Sequence, residues 1–116
     1  MGAAIAARIA FPDTYAYLRN TLTKSQLIIM NYHRVTDEKH DAPVETTSPE
    51  AFEGHVRYFR RNYELLSLDQ VLQCLYEQRS FPKRGLAITI DDGYKDSYIF
   101  AYPLLCKHSV PATIYL

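Results

Sequence analysis

The segment LAITI, Leu86 to Ile90, runs without interruption into two adjacent carboxylates, Asp91 and Asp92, and then into Gly93. A strand with one wet face alternates apolar and polar side chains. This one does not, so it is expected to be covered on both faces, as strands of a parallel sheet are. Parallel strands need crossover connections, and helices are the usual ones. The rest of the chain offers them. LIIMNY, Leu27 to Tyr32, is an apolar run of strand length that ends at His33, followed by the polar, loop-like HRVTDEKHDAPVETT. Ser48 can cap a helix that starts at Pro49 and carries Phe52, Val56 and Phe59 on one face to about Asn62. Ser67 and Gln70 form a capping-box pair ahead of an apolar stripe of Leu68, Val71, Leu72, Leu75 and Tyr76. A further helical stretch, Lys95 to Lys107, contains Pro103, which is expected to break or kink it, and ATIYL then reads as a third strand. Ahead of all this, Phe11, Tyr15, Leu18 and Leu22 recur at helical spacing around Pro12 to Thr23.

Composition narrows the partners. The chain has 116 residues, 47% of them hydrophobic, and a formal net charge of zero, which fits one globular unit with a real core. No lysine or arginine run provides the phosphate contacts that nucleic acid demands, and no segment is long and apolar enough for a membrane span. MGAAIAARIAF lacks the basic start and sustained apolar centre of an export signal, so a cytoplasmic location is the default expectation. Cys74 and Cys106 have no CxxC spacing and are expected to be buried free thiols.

In open α/β sheets and barrels, chemistry collects at the carboxyl ends of the strands. His33 closes the first strand and the Asp pair closes the second, so all three are expected on one rim. Two carboxylates about 4 Å apart repel by roughly 4 kcal/mol at an effective dielectric near 20, so something should compensate. A divalent cation does so, with one aspartate as ligand and its neighbour free to accept a proton from bound water. For both to converge the chain must turn at this point, which Gly93 permits. Taken in isolation, Asp-Asp-Gly reads better as turn chemistry at a strand end.

The wider context favours the cation. NYHRV, followed by LAITIDDGYKDSYIFAYPLLCKHSVPATIYL, resembles the polysaccharide deacetylases, the family with the NodB homology domain (carbohydrate esterase family 4). The matching pieces are a YHRV strand end, a T-F-D-D-G-Y motif, an alanine-x-proline-leucine helix and a P-A-T-aromatic strand, in the family's order from about Leu27 to Leu116. The resemblance implies an α/β fold, an incomplete (β/α) barrel of parallel strands alternating with helices. It implies residues 1–26 as an N-terminal helical extension and 27–116 as the N-terminal part of the deacetylase domain. It also implies hydrolytic removal of N-acetyl groups from an amino-sugar polysaccharide, with Asp91 as catalytic base and Asp92 as ligand to a divalent metal of the zinc type. His33 falls in the family's YHRV segment, near the same pocket. Tyr94 and Tyr98 are candidates for stacking on sugar rings, although packing is the commoner use of tyrosine.

Three departures stand out. Ile90 replaces the motif's phenylalanine, and Ser109 replaces a glycine, at a cost of about 1–2 kcal/mol if the position is left-handed. The family's H-S/T-x-x-H pair has no counterpart, since no two of His33, His40, His55 and His108 are four residues apart. With about 250 residues needed for a (β/α) barrel, the chain is expected to be a truncated domain, inactive alone and prone to associate through the exposed edge beside ATIYL. Two other readings of the same residues are a receiver-like module holding Mg²⁺ at its acidic pair, and a catalytically inactive structural or binding fragment.

Overall fold

The computed structural model describes residues 26–38 and 44–116. The helix expected over Pro12 to Thr23, and His40, lie outside the described residues. The centre of the fold is strand β5, Gly85–Ile90, with all six residues buried. β1, Leu27–Tyr32, runs parallel to it along its whole length, from Leu27 opposite Gly85 to Tyr32 opposite Ile90. Two short strands share the other edge. β4, Glu64–Leu65, pairs with Gly85 and Leu86, and β6, Thr113–Ile114, pairs with Thr89 and Ile90, both parallel.

Alternation along β5 builds two cores. Leu86, Ile88 and Ile90 point into the larger, against Phe52, Val56 and Phe59 of helix α1, Pro49–Asn62, and Leu105 of helix α3, Tyr102–Lys107. Ala87 points the other way, onto Leu66 and onto Val71 of helix α2, Leu68–Tyr76. Each large side chain covered in this way contributes about 1.5–3 kcal/mol, so the unalternating run has its physical reason in helices on both faces. The result is a parallel, helix-covered sheet that does not close into a barrel among the described residues.

The helix starts agree with the sequence. Ser48 accepts a hydrogen bond from the Ala51 amide with Pro49 in the first turn. Ser67 and Gln70 exchange both bonds of a capping box. The ends were harder to read. α2 and α3 both terminate in Schellman turns whose left-handed residue is not glycine: Gln78 at φ 52° and Ser109 at φ 52°. The Arg79 amide reaches the Cys74 carbonyl, and the Val110 amide reaches that of Leu105, at 2.9 Å each. The left-handed geometry considered for Ser109 is therefore present.

Several expectations need correction. Only one turn of the α2 stripe is buried, because the core beneath it ends at Val71; Leu72, Leu75 and Tyr76 are exposed. The helical stretch is disturbed at Pro103, but by a change of helix type and not by a stop: a π-helical turn, Ser97–Ala101, with the Tyr102 amide bonded to the Ser97 carbonyl, precedes α3, and Pro103 falls in α3's first turn. The supposed loop after His33 contains a two-residue parallel ladder between β2, Arg34–Val35, and β3, Thr46–Thr47. Cys106 is exposed and Cys74 half-buried, so neither thiol is in the core. Tyr98 is also outside it, exposed and stacked on Tyr102.

Candidate active site

β1 and β5 end in register, which puts their last residues on a common rim. The Asp91 amide still donates to the Tyr32 carbonyl at 2.8 Å, so Asp91 belongs to the strand pair, while Asp92 does not. Asp92 at φ 69° and Gly93 at φ 54° make two consecutive left-handed residues that swing the chain off the sheet. This is the turn that two neighbouring carboxylates on one rim require. Gly93 suits its position because its dihedral is one that residues with a Cβ rarely adopt. Asp92 carries a Cβ into the same region, at the lower end of the cost for a non-glycine residue. A non-glycine residue held left-handed at a strand end is strain of the kind concentrated at functional sites.

Paired residues in a parallel register share a face, so Asn31 stands beside Thr89. The Thr89 hydroxyl donates to Asn31 Oδ1 at 2.9 Å, and Asn31 Nδ2 donates to Asp91 Oδ2 at 3.0 Å. His33 Nε2 lies 3.7 Å from the same Asp91 oxygen, while its buried Nδ1 has no hydrogen-bond partner among the described residues. The predicted gathering of His33 and Asp91 on one rim is therefore present. Asp92 is exposed, and its carboxylate makes no hydrogen bond or ion pair among the described residues.

Behind the Asp pair sits a second cluster. Arg34 Nε donates to Asp96 Oδ2 at 2.7 Å, and its guanidinium lies 4.8 Å over the Tyr94 ring. Both ends of the ion pair are well covered, at 17% and 7% exposure, which makes the pair a tie between β2 and the segment that follows Gly93. Tyr94, expected as a pocket residue, is half-buried with this guanidinium over its ring. Asn31, Thr89, Arg34 and Asp96 were not singled out from sequence. The first two carried a usable signal, since each lies two residues before His33 or Asp91 and so shares its face.

Other histidines are engaged elsewhere. His55 Nδ1 shares a 3.0 Å hydrogen bond with the Tyr32 hydroxyl, whose pKa burial, and then the charge of Glu45, push up to about 12. Lys107, in the last turn of α3, and His108, just after it, both reach Glu53 of α1 at 2.8 Å. Hydrogen bonds from Lys107 and then His108 pull the Glu53 carboxyl down to about 2.

The donor set fits a metal only in part. Among the described residues no three His, Cys, Asp or Glu side chains gather closely enough to hold an ion. Asp92 is a free carboxylate at the rim, whereas Asp91 is already bonded through Oδ2. The residues present amount to one available ligand, short of the three protein ligands usual at a catalytic zinc.

The parallel, helix-flanked sheet is a fold shared with solved deacetylases. IcaB from Ammonifex degensii superposes with a TM-score of 0.67 at 24% identity over 78% of this chain and 37% of that one. The de-N-acetylase from Aggregatibacter actinomycetemcomitans gives 0.66 at 24% identity over 76% and 36%. In sequence, YxkH of Bacillus subtilis strain 168, described as a polysaccharide deacetylase, is 30% identical over 105 residues, covering 90% of this chain and 36% of that protein. Poly-beta-1,6-N-acetyl-D-glucosamine N-deacetylase of Escherichia coli K12 is 26% identical over 73% of the chain and 13% of that protein. No family model matches. In sequence and fold together the chain is similar to polysaccharide deacetylases, and it spans about a third of the length of YxkH.

Proposed function

We propose that this chain supplies the carboxylate-bearing part of a metal-dependent hydrolase that removes N-acetyl groups from an amino-sugar glycan. The observation that carries the reading is the rim itself: Asp91 held in the strand pair by Asn31, and Asp92 thrown clear of it by a strained left-handed turn. That division suits two different tasks. Asp91, fixed at Oδ2, would take the proton of an attacking water, and Asp92, unbonded and exposed, would serve as the chain's ligand to a divalent ion of the zinc type. Such an ion, when bound, supplies carbonyl polarisation and a more acidic water. Its other ligands would come from residues outside those described. His33, whose Nε2 faces the same oxygen, would line the pocket, with Tyr94 holding Arg34 behind it. The substrate class follows the Escherichia coli relative, an N-deacetylase of an N-acetylglucosamine polymer. In this reading residues 27–116 form the deacetylase part and 1–26 are a separate extension.

The test separates base from ligand. In a protein carrying the whole domain, Asp91→Asn is expected to abolish acetate release from an N-acetylglucosamine oligomer with zinc still bound. Asp92→Gly, which suits the left-handed turn, is expected to weaken zinc binding. Equal zinc affinity in the wild type and Asp92→Gly would remove Asp92 from the ligand set. The 116-residue chain by itself is expected to bind zinc weakly in calorimetry and to release no acetate, because one ligand and an open rim do not make a catalytic site.

A further inference from the structure

Asp91 can act as a base only if one of its oxygens is presented to the rim in a fixed direction, and the chain contains a device that does this. Thr89 is buried and Asn31, its partner across the strands, is exposed at the same rim. Their hydrogen bonds can run in only one direction. A carboxylate oxygen accepts, so the Asn31 group facing Asp91 has to be Nδ2, 3.0 Å away. That turns Asn31 Oδ1 toward Thr89, whose hydroxyl then has to donate, at 2.9 Å. The hydroxyl rests on β5, the amide on β1, and the carboxylate on the residue where β5 leaves the sheet. A bond between neighbouring strands thus sets the rotation of a carboxylate at their end.

We infer that Asn31, locked by Thr89, is the positioning residue for Asp91: it occupies Oδ2 and leaves Oδ1 as the oxygen offered to the reaction. This rests on the reading of Asp91 as the base. The choice of an amide has a chemical sense. A cationic donor such as lysine or arginine would hold the carboxylate more tightly but would also favour its charged form, weakening its pull on a proton. A neutral amide orients the carboxylate at a much smaller cost in basicity. His33, 3.7 Å from the same Oδ2, is too far to replace it with a direct hydrogen bond.

Two measurements test this. In the ¹⁵N-labelled 116-residue chain, the two Asn31 side-chain amide protons should differ strongly in shift, since one is held on a carboxylate. Thr89→Val and Asp91→Leu should each collapse that difference, and Thr89→Ser should preserve it. In the protein carrying the whole domain, Asn31→Leu and Thr89→Val should lower kcat for acetate release from an N-acetylglucosamine oligomer on the order of a hundredfold, the loss expected for a misplaced reacting group. KM should stay unchanged, and Thr89→Ser should recover most of the rate. Asn31 resonances unmoved in Thr89→Val, or full turnover in Asn31→Leu, would overturn the inference. A wild type with no acetate release sinks the deacetylase reading instead, and the amide resonances then decide alone whether Asn31 orients Asp91.

Discussion

Replacing Asp92 with glycine should make the protein more stable while impairing its site. Asp92 sits at φ 69°, a left-handed conformation that costs an L-residue roughly 1–2 kcal/mol, with aspartate toward the lower end. Glycine removes that penalty but adds about 0.5–1 kcal/mol of unfolded-state entropy. No compensating bond is lost, because the Asp92 carboxylate is exposed and unpaired among the described residues. The balance is a gain of up to about 0.5 kcal/mol, which with an m-value near 2 kcal/mol/M moves the urea midpoint up by as much as about 0.25 M. Asp92→Ala is the comparator, since alanine keeps the strained dihedral and should show little of the gain. Urea titrations followed by far-UV circular dichroism would decide. A lower midpoint for Asp92→Gly than for Asp92→Ala would mean that the left-handed dihedral costs the fold little, and the idea of strain kept for function would fall.

Three further outcomes are expected. Ser109→Gly and Gln78→Gly, at the left-handed ends of α3 and α2, should each stabilise by about 0.5–1 kcal/mol and add in the double variant, checked by thermal melts. Arg34→Met should destabilise by about 3 kcal/mol because it strands the buried Asp96 carboxylate, and Asp96→Asn in the same chain should recover part of the loss in a double-mutant cycle. Acid should weaken the clasp between α1 and α3. The carboxyl of Glu53 titrates near 2 when folded against an ordinary 4.5, so its contribution is complete above pH 4.5 and disappears as pH falls toward 2. Denaturant midpoints measured across that window should slope less in Glu53→Gln than in the wild type.

What could be read from the sequence was decided locally, and what escaped it was decided by pairing. Ser48 before Pro49 and the Ser67–Gln70 box act within one helical turn, so their chemistry is visible without any knowledge of the fold. β5 was visible for a related reason: burial on both faces leaves its mark on every residue of the run. The ladders at Arg34–Val35, Thr46–Thr47 and Glu64–Leu65 are two residues long, too short for any periodicity, and exist only because a partner lies alongside. At the site, the Asp pair and His33 were legible from residue type and strand ends. The bond from Asn31 to Asp91 was not, because it depends on the register between distant strands. The exposure of Cys106 and of α2's outer stripe was missed because an apolar spacing says which side chains share a face, and not whether anything covers it.

The parallel pairing of β1 with β5 also has a consequence in time. Asn31 and Thr89 are 58 positions apart, whereas β4 and β6 meet β5 across much shorter stretches of chain. Long loops close later and at greater entropic cost, so the half of the sheet from β4 to β6 should organise first and β1 should dock onto it. The aspartate pair would then be in place before Asn31 and His33 arrive. Mutations in β1 should therefore accelerate unfolding and leave the folding rate almost untouched, which stopped-flow kinetics on Ile28→Val can measure.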